Sequence, residues 1–234
     1  SSRLFSILKF EPIIHEFDPW FQYRATKYLS DNGRAAFYNW FDKDSWYPFG
    51  REIGKTLYPG LMYTSLFIHR FLKFIAIPLD LLHVCVLMAP LFSIFTCYFT
   101  YRITKEISGK KEAGLFGALF VSLISSYLSR STAGAYDNEA ISITILVSTL
   151  YFFIRACNKD SFMYAMLSAI SFGYLAASWG GYAFIIGFIP VFVLGCLITG
   201  KLNDSIKRTY NIFYIFGTLL ASEVKFIEYK VWSS

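Results

Sequence analysis

From Ser161 to Gly200 the chain has no Asp, Glu, Lys, Arg or His. A membrane span takes roughly 20 residues at 1.5 Å rise per residue, so this stretch is too long for one helix. Trp179-Gly180-Gly181 lies at its middle, where two glycines favour a turn, which divides it into spans at about 162–178 and 182–199. Further apolar runs cover 81–101, 113–129 and 140–155, with a shorter one at 209–222. The expected fold is therefore all-α: a multi-spanning transmembrane bundle of five to six helices over residues 81–222. Only 16% of the residues are charged, against about a quarter in an ordinary soluble domain, and mean hydropathy is +0.44. That balance excludes a disordered chain, a coiled coil and a disulfide-stapled secreted module. The net charge of +6 comes from cations scattered between apolar runs, without a basic stripe, so no nucleic-acid partner is expected. Cys85, Cys97, Cys157 and Cys196 lie in or beside apolar runs with no C-x-x-C spacing, and read as buried thiols.

The remaining charges are sorted. Residues 1–80 hold ten Lys/Arg and eight Asp/Glu, whereas later charges fall in short islands. Lys and Arg gather in 102–112, 155–160 and 200–208, while 130–139 has Arg130 alone. Under the positive-inside rule the three basic loops are cytoplasmic, and residues 10–80 and 130–139 share the opposite face. Within 1–80, the apolar run 57–77 is interrupted by His69, Arg70 and Lys73, which favours a helix lying in the membrane interface over one crossing it. The opening SSRLFSILKF reads as the end of an apolar segment, and the chain lacks an initiator Met. It is expected to begin inside a longer protein.

Two acidic triplets stand out, Glu16-Phe17-Asp18 and Asp137-Asn138-Glu139. In an extended segment residues i and i+2 point the same way, so each triplet can present two carboxylates to one point. Clustered carboxylates are ligands for Mg²⁺ or Mn²⁺, which in turn hold phosphate oxygens, and the topology puts both triplets on one membrane face. The competing reading is capping: Asp137 and Glu139 suit the start of a helix near Ala140, and Asp18 one beginning at Pro19. Spacing leaves both open. Arg130 is either an interfacial anchor or a partner for a carboxylate or phosphate. Trp179 either lines a peptide or lipid groove or only permits a tight turn.

The segments RLFSILKFEPIIHEFDPWFQYRATKYL, NWFDKDSWYPFGREIGKTLYPGLMYTS, SRSTAGAYDNEAI and SWGGYAF closely resemble the catalytic subunit of eukaryotic oligosaccharyltransferase, in register from about Ser2 to Ala221. The resemblance implies a GT-C type transmembrane domain in the endoplasmic reticulum, with residues 10–80 and 130–139 lumenal. It implies transfer of a preassembled oligosaccharide from dolichyl diphosphate to Asn in N-x-Ser/Thr of an acceptor polypeptide, within a complex of other subunits and membrane lipid. It assigns Glu16 and Asp18 to the first acidic motif and Asp137 and Glu139 to the second. Asp18, Asp137 and Glu139 then hold Mn²⁺ or Mg²⁺, Asp18 also contacts the acceptor amide, and Arg130 matches an arginine important for activity. Trp179 falls in a matching W-G-G-Y segment as a weaker substrate-binding candidate. The family also has a span before this chain, several after it, and a lumenal domain with W-W-D-Y-G that reads the sequon hydroxyl. W-W-D-Y-G does not occur here, and residues 223–234 depart from the pattern, so an N-terminal fragment that does not catalyse by itself is expected. The alternatives are another dolichol-linked-sugar-dependent transferase and a non-catalytic membrane fragment.

Overall fold

The computed structural model describes residues 2–227. The chain is almost entirely helical. A 3-10 turn at Ser2–Leu4 leads into α1 (Phe5–Lys9) and α2 (Phe17–Tyr38). A two-residue hairpin, β1 (Phe41–Asp42) with β2 (Arg51–Glu52), precedes α3 (Ile53–Thr56) and α4 (Gly60–Phe74). There follow α5 (Leu81–Ser108), α6 (Lys111–Leu123), α7 (Ser125–Arg130), α8 (Glu139–Lys159), α9 (Phe162–Ser178), α10 (Tyr182–Ile198) and α11 (Asp204–Ser222). Among the described residues, α5 and α8 are long and apolar enough to cross a membrane, and α9 and α10 are shorter apolar helices of 17 residues each.

Two differences from the expected helices have local causes. The run 113–129 is not continuous, because Ile124 takes an extended backbone (φ −61°, ψ 124°) that ends α6 and starts α7 afresh. Ile124 is β-branched and precedes two serines, whose hydroxyls compete with helical hydrogen bonding. The helix expected at 209–222 starts earlier, because Asn203 caps it: its side-chain oxygen accepts from Ile206 N–H at 2.8 Å.

The chain divides into two compact units, the first comprising Ser1–Phe92 and Ser125–Ile141. Its core is Ala25, Leu29, Phe37, Ile53, Leu57, Met62 and Leu66, the apolar faces of α2, α3 and α4. On α2 the buried residues Gln22, Ala25, Thr26 and Leu29 recur at helical spacing and make one face. Gly33, at φ +78°, kinks α2. A Cβ on Gly54 would lie 2.4 Å from Tyr38 Cα, so only glycine lets α3 lie against the end of α2. Beside the hairpin, Arg24 on α2 donates to buried Asp42 at 2.9 Å, and Ser45 Oγ donates to the same carboxylate at 2.6 Å.

The second unit comprises Ser93–Ile124 and Ser142–Ser234. Here α9 lies against α11 through small residues: a Cβ on Gly173 would meet Leu220 Cβ at 2.6 Å, and one on Gly217 would meet Phe172 at 3.0 Å. Phe213 fills the space between, 5.2 Å from the Phe172 ring and 5.6 Å from Phe153. Close approach through small residues is the usual packing of apolar helices in lipid, where burial alone gives no drive to associate. Three pairs of polar groups meet inside this unit: Thr96 with Thr144 at 2.6 Å, Ser168 with the Thr149 carbonyl at 3.0 Å, and Arg155 with Glu106 at 2.6 Å. All four cysteines are free thiols.

Candidate functional site

The first unit contains every acidic candidate, and backbone hydrogen bonds bring them together. Segment 131–136 is held from three sides. Ala133 N–H donates to Arg3 carbonyl at 2.8 Å, Gly134 N–H to Val86 carbonyl at 3.0 Å, and His15 N–H to Gly134 carbonyl at 3.1 Å. Ser6 Oγ donates to the Ala133 carbonyl at 2.9 Å and Arg3 Nε to Ser131 Oγ at 2.8 Å. Gly134 makes the crossing possible: its φ is +93°, and a Cβ there would sit 2.4 Å from Ile13 O and 2.5 Å from His15 Cδ2.

That crossing sets His15 and Glu16 opposite Arg130 and Asp137. Together with Pro19, Ser129, Thr132 and Ala135 they line a cavity of about 280 Å³. Across it Arg130 Nη1 lies 3.9 Å from Glu16 Oε2, with both side chains largely solvated. An ion pair so exposed contributes little stability and leaves the guanidinium able to exchange partners.

The triplets do not adopt the extended geometry that their spacing suggested. Glu16, at φ +66°, stands just outside α2, and Phe17 and Asp18 are already in its first turn. Successive helical residues diverge by about 100° around the axis, so Glu16 and Asp18 are not presented to one point. Glu16 lines the cavity, whereas Asp18 is exposed and does not. Nor does Asp18 cap a helix beginning at Pro19: it occupies the first turn itself, where the helix dipole still favours a carboxylate. In the second triplet Asp137 accepts from Asn138 N–H at 2.7 Å and Glu139 opens α8.

The carboxylates of Asp137 and Glu139 stand one residue apart and act on each other electrostatically. Between them in sequence, Asn138 Oδ1 is buried without a hydrogen-bond partner. Neighbouring carboxylates repel unless a proton or cation offsets their charge, and an unpartnered buried oxygen is costly. This donor set, all hard oxygen, fits Mg²⁺ or Mn²⁺. The expected third carboxylate is not gathered in: among the described residues no three His, Cys, Asp or Glu side chains converge to hold a metal ion.

Sequence reasoning passed over the residue that supports this segment. Tyr136 is fully buried, and its hydroxyl lies 2.8 Å from both Thr26 Oγ1 and Ser65 Oγ. Burial holds its phenol well above the usual tyrosine range, so it stays neutral at any physiological pH. An aromatic beside two acidic residues gives no periodic signal from which this could be read. Trp179 belongs to the second unit, where it ends α9 half-buried. A Cβ on Gly181 would fall 2.0 Å from its ring, so the glycine makes room for the indole to fold over the turn.

The sequence model of the family "Oligosaccharyl transferase STT3, N-terminal" matches residues 1–234, including the tail from 223 onward. The dolichyl-diphosphooligosaccharide–protein glycosyltransferase subunit STT3 of Saccharomyces cerevisiae is 48% identical over 97% of this chain and 32% of its own length. The corresponding subunit of Caenorhabditis elegans is 45% identical over 98% of this chain and 30% of its own length. Among solved structures, the Archaeoglobus fulgidus oligosaccharyltransferase complexed with Zn and sulfate superposes with TM-score 0.73 at 21% identity, covering 89% of this chain and 27% of that one. The same archaeal enzyme tethered to an acceptor peptide containing the NVT sequon gives TM-score 0.73 at 20% identity, covering 94% and 28%. The chain thus spans about a third of the length of the curated relatives it matches, and it belongs to the oligosaccharyltransferase STT3 family through their N-terminal, transmembrane-helical part.

Proposed function

We propose that this chain supplies the N-terminal part of the catalytic centre of an oligosaccharyltransferase. The reaction moves a preassembled oligosaccharide from dolichyl diphosphate to the side-chain amide of Asn in N-x-Ser/Thr. The observation that carries the reading is the meeting of the two acidic motifs at one cavity, with Glu16, Asp137 and Arg130 all on its wall and Arg130 3.9 Å from Glu16. The proposal places the chain as a multi-pass protein of the endoplasmic reticulum membrane, with 10–80 and 130–139 lumenal, among other subunits.

An amide nitrogen is a poor nucleophile because its lone pair is delocalised into the carbonyl. Asp18, exposed at the start of α2, is free to accept hydrogen bonds from the acceptor NH₂ and so weaken that conjugation. Arg130 offers N–H donors to anionic diphosphate oxygens, and its loose 3.9 Å pairing with Glu16 leaves the guanidinium able to turn to them. Asp137 and Glu139 would hold Mn²⁺ or Mg²⁺; Asp18, the third ligand that the family resemblance implies, is not gathered to them in this structure. When bound, such an ion neutralises charge developing on the departing diphosphate. Trp179, at the end of α9, is kept as a weaker substrate-binding candidate.

The test is Asp137→Ala in the full-length protein, with transfer to a sequon peptide as the readout. Loss of transfer is expected. Undiminished transfer with Mn²⁺ still bound would refute the assignment.

A further inference from the structure

We infer that Tyr136 is a positioning residue, whose hydroxyl pins the loop carrying Asp137 and Glu139 to the helix that carries Asp18 and to α4. The inference rests on the proposed transferase reading of those carboxylates.

Tyr136 immediately precedes Asp137 and is wholly buried, so its ring cannot turn without moving the acidic segment. Its oxygen lies 2.8 Å from Thr26 Oγ1 on α2 and 2.8 Å from Ser65 Oγ on α4. Thr26 comes eight residues after Asp18 on the same helix. Thr26 Oγ1 also reaches the Gln22 carbonyl at 2.8 Å, and Ser65 Oγ the Leu61 carbonyl at 2.9 Å.

Three hydroxyls carry three protons, enough for one directed chain: Ser65 to Tyr136 to Thr26 to the Gln22 carbonyl, or the reverse ending at Leu61. In either direction the phenol both donates and accepts. The carbonyl left out keeps its own helical N–H partner, so no buried group is orphaned. Both serine and threonine are fully buried, so water cannot substitute for the phenol once it is gone.

The alternative is that Tyr136 only fills volume. Phenylalanine would fill nearly the same volume while removing the pin. Misplacing a catalytic group by about 1 Å can cost on the order of 100-fold in rate.

The experiment uses the full-length protein in its native membrane complex. Tyr136→Phe, Thr26→Val, Thr26→Ser and, as reference, Asp137→Ala are compared in kcat and KM for a sequon peptide, in binding of Mn²⁺ alone followed by electron paramagnetic resonance, and in melting temperature. Tyr136→Phe and Thr26→Val should each lower kcat about 10-fold or more with KM for the peptide unchanged, and weaken Mn²⁺ binding. Thr26→Ser, which keeps the hydroxyl, should restore both. Wild-type kcat and Mn²⁺ affinity in a folded Tyr136→Phe protein would overturn the inference. If that variant does not accumulate, the same result in Thr26→Val would do so. Full transfer by Asp137→Ala would instead sink the functional reading, whatever Tyr136 does.

Discussion

Gly134→Ala is the substitution that most directly probes how the site is assembled. The new methyl would stand 2.4 Å from Ile13 O and 2.5 Å from His15 Cδ2; the exposed imidazole can swing aside, but the carbonyl is backbone and cannot. Backbone at φ +93° adds about 1–2 kcal/mol for any residue with a Cβ. Relieving the clash means separating segment 131–136 from 13–15. That forfeits the His15 N–H to Gly134 carbonyl bond (3.1 Å) and disturbs the Gly134 N–H to Val86 carbonyl bond (3.0 Å), at about 1 kcal/mol each. The sum is about 3–4 kcal/mol, a large fraction of the 5–15 kcal/mol typical of a folded protein. The same displacement parts Glu16 from Arg130 and Asp137, so transfer should fail even in the fraction that remains folded. Melting in detergent, followed by tryptophan fluorescence, measures the first effect, with Gly187→Ala as control because a Cβ there meets nothing within 4 Å. A Gly134→Ala protein that melts with wild type would show that the crossing is looser than described and refute the reasoning.

In the second unit, Gly173→Ala pushes a methyl to within 2.6 Å of Leu220 Cβ and should destabilise the α9–α11 packing by about 1–3 kcal/mol, read as a lowered melting temperature. Arg24→Met strips a charged donor from buried Asp42 while Ser45 and the Asp44 N–H remain, so the loss should be about 1–3 kcal/mol, seen as faster proteolysis of the 39–52 loop. The Arg208 guanidinium beside Asp160 holds that carboxyl below its usual range. A carboxyl lowered on folding stabilises above its unfolded value of about 4 and loses that contribution as pH falls through the folded value. Melting temperatures of wild type and Arg208→Met should therefore converge below about pH 4 and separate above it; a gap constant with pH would contradict the pairing.

Much of the helical architecture was legible because its causes are local. Helices α5, α8, α9 and α10 fall on the apolar runs, since hydropathy and the 3.6-residue repeat are properties of short stretches. Where the boundary depended on backbone choice at one residue, as at Ile124, hydropathy ran on through it. The site was legible as residue types and less so as geometry. Both triplets are present, but the i, i+2 rule holds only for extended chain, and α2 begins at Phe17, inside the first triplet. Glu16 therefore lines the cavity and Asp18 does not.

The sequence by itself determined that this chain is helical and apolar, that its cations collect in particular loops, and that its carboxylates stand in two short motifs. Those are consequences of side-chain chemistry and spacing along one segment. Only the tertiary structure decided which motif members meet. Contacts of Arg3 with 131–133, of His15 with Gly134 and of Thr26 and Ser65 with Tyr136 join residues 71 to 130 positions apart. Such pairings rest on a glycine with room for no Cβ and on three buried hydroxyls that hydrogen-bond one another.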